Sequence, residues 1–214
     1  MKNKESISIH NWEHPKTQSH FYLLPSIHRI LTKLSVPKDA LILDTGCGGG
    51  YIASELYNKN YKNIWGIDVS ESAIKIARRI VKEIENRFEV HNAYCIELPS
   101  PFPKKGYDIV LSVEVIEHMY SPKKYVENIK FWLKKGGHLI ITTPYHGYIK
   151  NLSTSLLNKF DTHFDPICEG GHIKFFSKKT LYRFLESVGM KPLEFRGSGR
   201  LPFLWKSMIV IARR

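Results

Sequence analysis

The sequence predicts an α/β protein, a doubly wound and mostly parallel sheet with helices on both faces. Two observations predict it. Between residues 40 and 144, apolar runs of strand length alternate with segments of helical period, and such βαβα alternation places crossover helices between parallel strands. The first strand also runs into a glycine-crowded loop, "LILDTGCGGGYIA" (41–53), at what reads as a helix start. That is where sheets of this class hold a ligand.

The elements follow in order. "ALILDTG" (40–46) is the first strand and "GYIASELYN" the helix after it; "NIWGIDVS" (63–70) is the second strand. "ESAIKIARRIVKEIEN" puts Ile74, Ala77, Ile80, Val81 and Ile84 on one face at helical spacing, with Ser70 as its N-cap. "RFEVHNA" is a third strand and "YDIVLSVEV" (107–115) a fourth. "SPKKYVENIKFWLKKGG" reads as a helix with Pro122 in its first turn and glycines at its end, and "HLIITTP" (138–144) is the fifth strand. Next comes "YHGYIKNLSTSLLNKFDTHFDPICEGGHIKFFS", an irregular insert rich in His, Asn and Gly, followed by a helix, "SKKTLYRFLESVG". "MKPLEFRGSG" and "KSMIVIARR" pair as a closing hairpin on the sheet edge, and "HPKTQSHFYLLPSIHRILTKL" supplies a helix before the first strand. No repeat or low-complexity linker divides the chain. One domain is expected: a helical cap (1–37), a ligand-binding core (38–145), an insert or lid (146–176), and a last helix with closing strands (177–214).

At 214 residues, 43% of them hydrophobic, the chain can bury one sizeable core. The start, "MKNKESISIHNW", lacks the apolar stretch of a secretory signal, and no apolar run approaches the roughly 20 residues of a membrane span. Three widely spaced cysteines (Cys47, Cys95, Cys168) form no disulfide framework. A cytoplasmic protein without a transmembrane segment is the expectation. The formal charge of +12 admits nucleic acid, an anionic surface or an acidic substrate as a partner. The lysines, however, are scattered in pairs at 104, 123, 134 and 178, which fits solvated faces better than a nucleic-acid stripe.

Gly48, Gly50 and Ala53 satisfy the G-x-G-x-x-A of a nicotinamide site, with Asp68 at the end of the second strand. Three details oppose that reading. The glycines begin at Gly46, so the tight turn starts early; bulky Tyr51 opens the helix; and Asp44 brings a carboxylate to the loop mouth. A carboxylate there repels a pyrophosphate and attracts a cation.

"LDTGCGGG", "GIDVS", "YDIVLSVEVIEH" and "LKKGGHLIITTP", in that order, resemble the class I S-adenosylmethionine-dependent methyltransferases. The resemblance spans about residues 38 to 145 and implies a Rossmann-like seven-stranded sheet whose last strand is antiparallel. It implies that Asp44 and Gly46, within "DTGC" (Asp44, Thr45, Gly46, Cys47), meet the methionine moiety, and that Gly48 and Gly50 admit the ligand to the backbone. Asp68 would bond both ribose hydroxyls and Val69 would flank the adenine. Asn92, with Ala93, stands where the family commonly has an Asp reading the adenine amino group, and Glu114 would lie beside the sulfonium. S-adenosylmethionine is thus the expected cofactor.

The acceptor end is read from "EVIEH" and "EGGHIKFFS". A high-pKa hydroxyl needs a base or a metal to lose its proton. His118 or His172, with Glu117 beside them, is the economical base. Glu114, Glu117, His118 and His172 also have the chemistry of a divalent site; their spacing resembles the ubiquinone-pathway O-methyltransferases and the small-RNA 2′-O-methyltransferases. No metal is assigned. His10, His14, His20, His138, His146 and His163 are weaker candidates. Phe21, Tyr22, Tyr145, Tyr148, Phe160, Phe164, Phe175 and Phe176 would wall an acceptor pocket. The leading expectation is methyl transfer to a hydroxyl of a small aromatic or sugar-like molecule. Its alternatives are a metal-using RNA 2′-O-methyltransferase, a nicotinamide-dependent oxidoreductase, and a module that keeps the fold without turnover.

Overall fold

The computed structural model describes residues 14–164, 167 and 170–214, with backbone alone at 162 and 163. His10, the His163 side chain and Cys168 lie outside the described residues, as does the first third of the expected helical cap. Seven strands form one sheet: β1 (Ile42–Thr45), β2 (Ile64–Asp68), β3 (Phe88–Val90), β4 (Tyr107–Val113), β5 (Leu133–Pro144), β6 (Lys191–Ser198) and β7 (Ser207–Arg213). Their order is β3-β2-β1-β4-β5-β7-β6, with β7 alone running against its neighbours. The chain winds outward through β1, β2 and β3 and then crosses back to β4. The carboxyl ends of β1 and β4 therefore bound a crevice.

The strands alternate apolar residues between two layers, as a period of two requires. Ile42, Ile109, Leu111, Ile140 and Ile211 pack against α1 (His20–Lys33), α2 (Tyr51–Asn58) and α3 (Glu71–Ile80). Leu43, Val110, Leu139, Ile141 and Val210 face α4 (Pro122–Trp132) and α7 (Lys178–Ser187). Trp132 is fully buried, with its indole N–H donating to the Ile96 carbonyl at 2.8 Å; its burial contributes on the order of 3 kcal/mol. Helix starts are set by side chains. Ser70 accepts from the Ala73 N–H, Ser177 and Thr180 form a reciprocal capping box, and Pro122 occupies the first turn of α4. Among the described residues no helix is long and apolar enough to cross a membrane.

Three elements differ from the sequence expectation. α3 ends at Ile80, where Val81 leaves helical geometry (φ −126°, ψ 62°) before a 3-10 turn over Lys82–Arg87. Val81 and Ile84 stay buried in the same layer: the apolar spacing records burial rather than continuous helical bonding. "LKKGG" does not end α4. Leu133 already pairs with Tyr107, and the next paired residue, His138 with Ile109, follows an excursion over 134–137. Gly136 has φ +80°, and a Cβ on Gly137 would lie 2.9 Å from the Tyr107 carbonyl.

The insert, finally, is not irregular throughout: it carries α5 (Tyr148–Leu156) and α6 (Phe160–His163). α5 hides from pattern reading because Tyr148, Ile149, Leu152 and Leu156 are exposed while Lys150 is buried. Its Ser-Thr-Ser run, which reads as loop, bonds back to carbonyls four residues earlier, at Ile149, Lys150 and Asn151.

Candidate functional site

A cavity of about 310 Å³ opens at the carboxyl ends of β1–β4, within the size range of small-molecule sites. Its lining runs from His91 and Ala93 after β3, past Asp68 and Val69 at the end of β2, Asp44 in β1 and the loop after it (Gly46, Cys47, Gly48), to Glu114, His118 and His172.

The glycine loop is clamped to β2 through its backbone. The N–H groups of Gly46 and Cys47 donate to the Ile67 carbonyl at 2.7 and 3.0 Å, and the Gly48 N–H donates to Asp68 Oδ2 at 2.9 Å. Asp68 Oδ1 accepts from the Ser70 N–H at 2.9 Å, so the carboxylate joins the loop to the start of α3 and lines the cavity as well. Gly46 (φ +71°) has no room for a Cβ, which would lie 2.5 Å from Val115 Cγ2. Asp44 is 1% exposed, and neither of its carboxylate oxygens makes a hydrogen bond among the described residues. Burial, with the Asp68 charge adding, pushes its carboxyl up to about 7. A buried carboxylate lacking partners is costly, and a cation in the cavity would supply one. Burial holds the Cys47 thiol in its protonated form, with its pKa well above the usual range.

At the other end, Glu114 accepts from the Thr142 hydroxyl at 2.7 Å and from Ser207 at 3.1 Å; burial raises its carboxyl to about 7. The following 3-10 turn (Ile116–His118) places Glu117 at 0% exposure. Burial, with the Glu114 charge adding, drives the Glu117 carboxyl well above its usual value. The Glu117 carbonyl accepts from the N–H groups of Ile173 and Lys174, both at 2.9 Å. That pins the end of the insert and brings the His172 ring within 5.0 Å of the His118 ring, edge to face. His118 Nδ1 lies 2.9 Å from the Gly170 carbonyl; a proton on Nδ1 satisfies that contact and leaves Nε2 as the basic nitrogen. One ligand atom each from Glu117, His118 and His172 lies within 4.8 Å of the others.

Ten expected residues line the cavity: Asp44, Gly46, Cys47, Gly48, Asp68, Val69, Ala93, Glu114, His118 and His172. Thr45 does not, because its hydroxyl turns into the core, donating to the Leu111 carbonyl at 2.8 Å beside the Tyr125 hydroxyl at 2.7 Å. Gly50 is required by helix packing, since a Cβ would lie 2.8 Å from Ala77 Cβ. Asn92 spends its side-chain oxygen on the Tyr94 N–H at 2.9 Å, a local turn, and His91 lines the cavity in its place. Glu117 sits beneath the lining, and Glu114 stands apart from the cluster of Glu117, His118 and His172. The expected aromatic wall is elsewhere: Phe164 and Phe175 pack on His146, Tyr145 packs on Trp205, and Phe21 and Tyr148 are exposed. Sequence reasoning undervalued His20, which lines the cavity, stacks on Tyr51 at 5.1 Å and is lowered by burial to about 4. It also missed Thr17 and Ser19, which no local motif marks.

Sheet order, the antiparallel β7 and a glycine-loop cavity at the switch point together define the class I methyltransferase architecture. The chain belongs to the methyltransferase-domain family, whose model matches residues 17–194. It is 29% identical over 156 residues to a ubiquinone biosynthesis O-methyltransferase of Rickettsia canadensis, covering 73% of this chain and 64% of that protein. This chain thus spans a little under two thirds of that relative's length. A ubiquinone biosynthesis O-methyltransferase of Rickettsia typhi is 27% identical over 206 residues, covering 92% of this chain and 81% of that protein. Among solved structures, the magnesium protoporphyrin IX methyltransferase of Synechocystis with bound S-adenosylhomocysteine shares the fold at TM-score 0.64 and 18% identity, covering 90% of this chain and 81% of that one. Family membership replaces the nicotinamide alternative.

Proposed function

We propose that this protein binds S-adenosylmethionine in the cavity and catalyses transfer of its methyl group to a hydroxyl of a small aromatic or sugar-like acceptor. The observation that carries the reading is Asp44, a buried carboxylate without a hydrogen-bond partner among the described residues, on a cavity that Glu114 also lines. Two carboxylates on one cavity fit a ligand with an ammonium and a sulfonium, and Asp68 at the end of β2 fits its ribose hydroxyls. When bound, the cofactor supplies an electrophilic methyl group with a neutral thioether as leaving group. The protein's part is alignment and proton removal. His118, oriented by the Gly170 carbonyl, takes the acceptor's proton on Nε2, and His172 borders the same space. The likeness to O-methyltransferases supports a hydroxyl acceptor.

The cluster of Glu117, His118 and His172 favours a second reading of the same end. A carboxylate and two imidazoles fit a divalent cation, and Glu117, buried without a well-formed hydrogen bond to either oxygen, gains a counter-charge from one. These three residues would hold the ion, which would lower the pKa of an adjoining hydroxyl.

Calorimetric titration with S-adenosylhomocysteine tests the cofactor assignment, with Asp68→Ala expected to weaken binding about 100-fold through loss of charge-assisted hydrogen bonds. Turnover of a catechol and vicinal-diol panel, before and after chelation, separates the two readings. Chelator-resistant turnover removes the metal, and an unreactive panel removes the acceptor class.

A further inference from the structure

Of the four glycines in the loop after β1, Gly46, Gly48 and Gly50 take positive φ (+71°, +51° and +75°), a conformation that by itself asks for glycine. Gly49 does not. A Cβ on Gly49 would instead lie 2.7 Å from Pro15 Cα, and 3.2 Å from Pro15 Cβ and Ile76 Cγ2. The nearest of these is a backbone atom, which cannot turn aside as a side chain can. Gly49 is therefore the seat on which the segment before α1 lies.

That segment walls one side of the cavity through Thr17, Ser19 and His20, and it is tied down by packing alone. The His20 ring stacks on Tyr51, the first residue of α2, with centroids 5.1 Å apart. Lys16 Nζ sits 3.8 Å over the Phe21 ring and 5.0 Å from the centre of the Tyr51 ring. Among the described residues, every hydrogen bond of residues 14–19 stays within 17–23. The glycine loop beneath is, by contrast, bonded through its backbone to β2, and α1 is anchored by Leu23, Ile27 and Leu31, all fully buried. One wall of the cavity can thus swing about the first turn of α1 without breaking a hydrogen bond to the core. The same segment fixes the tautomer of His20. Its Nδ1 accepts from the Thr17 N–H at 3.0 Å, which leaves the ring proton on Nε2. Burial, with the Lys16 charge adding, lowers the ring to about 4 and keeps it neutral.

We infer that residues 15–20 are a strap that opens to admit the cavity's ligand and closes over it, with Gly49 as its seat and His20 donating from Nε2 to the bound molecule. The inference rests on the cofactor reading above for the identity of that ligand. A wall held by packing alone opens more readily than one held by backbone bonds, and once closed it excludes water and slows escape. Strap closure thus governs the lifetime of the bound state, whereas the loop bonded to β2 fixes the shape of the site.

The test measures association and dissociation rates of S-adenosylhomocysteine by surface plasmon resonance on the intact protein, Gly49→Ala, His20→Phe and the double variant Gly49→Ala/Ile76→Ala. Trypsin cleavage after Lys16, which is exposed, is the second readout. Because the φ of Gly49 is ordinary, its alanine variant acts by displacing the strap rather than by straining the loop. Gly49→Ala should raise the dissociation rate about tenfold and speed association as well. His20→Phe keeps a ring on Tyr51 and removes both nitrogens; its dissociation rate should rise about three- to tenfold. The added Ile76→Ala relieves the other close contact of the new Cβ, so dissociation should stay fast. Saturating S-adenosylhomocysteine should slow cleavage after Lys16 about fivefold or more in the intact protein, and Gly49→Ala should lose most of that protection. If Gly49→Ala and His20→Phe both leave the dissociation rate unchanged, if Ile76→Ala restores the slow rate, or if bound ligand leaves cleavage after Lys16 unaltered, the inference is overturned while the cofactor reading stands. Failure of the intact protein to bind S-adenosylhomocysteine overturns the cofactor reading and the inference with it. Should Gly49→Ala not fold, His20→Phe and the cleavage of the intact protein decide.

Discussion

The two ends of the cavity are built by different means. The β1–β2 end comes from two short stretches, 42–50 and 64–70, fastened by backbone bonds from Gly46, Cys47 and Gly48 to Ile67 and Asp68. The β4 end is assembled from Tyr22, Glu114, His118, His172 and Ser207, side chains on four separate segments. A loop that shapes itself through its own backbone is confined to a narrow spacing of residue types. An assembly from distant segments needs only that the fold deliver each side chain. On the proposed function, the first kind of site would fix where the cofactor lies, and the second would be free to change with the acceptor.

The sharpest way to break this contrast is His118→Ala. As the proposed base, its loss should lower kcat about 10²- to 10⁴-fold, while calorimetry shows S-adenosylhomocysteine affinity within about twofold of the intact protein. Equal losses in both would mean that the ends are not separable. Gly46→Ala probes the other end through stability. A Cβ at φ +71° and 2.5 Å from Val115 Cγ2 should cost about 2–4 kcal/mol in denaturant unfolding, with Val115→Ala in the same chain recovering part of it. No recovery would show that backbone strain, not crowding, dominates.

A third prediction uses pH. Burial raises the Asp44 carboxyl to about 7, so below that value the ligand-free protein holds a proton that a cationic ligand must displace. Cofactor affinity should therefore fall about tenfold per pH unit below 7, and Asp44→Asn should flatten that part of the profile. In the ligand-free protein the same group lowers stability as pH rises from the ordinary carboxyl value, about 4, to about 7, because the unfolded chain ionises first. A pH-independent affinity in the intact protein would remove Asp44 from the cationic contact. The smallest expected effect is Leu152→Ser on α5. This exposed leucine should shift stability by no more than about 0.5 kcal/mol, and a larger loss of melting temperature would show that the insert helix packs more firmly than its exposure indicates.

Legibility in the sequence followed the same division. The sheet and its closing hairpin were readable because buried strands must be apolar runs, and the glycine loop because Gly46 and Gly48 take positive φ. Within the loop the residue type was clearer than its purpose. Gly50 is a glycine on account of Ala77, a contact between helices that no local spacing records. Asn92, whose amide has the chemistry to read a base, also bonds the Tyr94 N–H through its oxygen, a local turn that the spacing does not show. At the β4 end, "EVIEH" announced titratable side chains but not their partition, which has Glu114 bonded to Thr142 and Ser207 and Glu117 grouped with the imidazoles. α5 was lost because its buried residue is a lysine and its apolar residues face outward, the reverse of what periodicity detects.

The contact between Gly46 and Val115 also constrains how this protein can change over generations. The two positions belong to loops after different strands yet compete for one methyl-sized volume. A lineage that replaces the glycine first meets both the clash and the strain of a side chain at φ +71°, whereas one that first trims Val115 meets only the strain. The order of substitutions is therefore directional, and a library that varies one position at a time will charge the whole cost to Gly46 when part of it belongs to its neighbour.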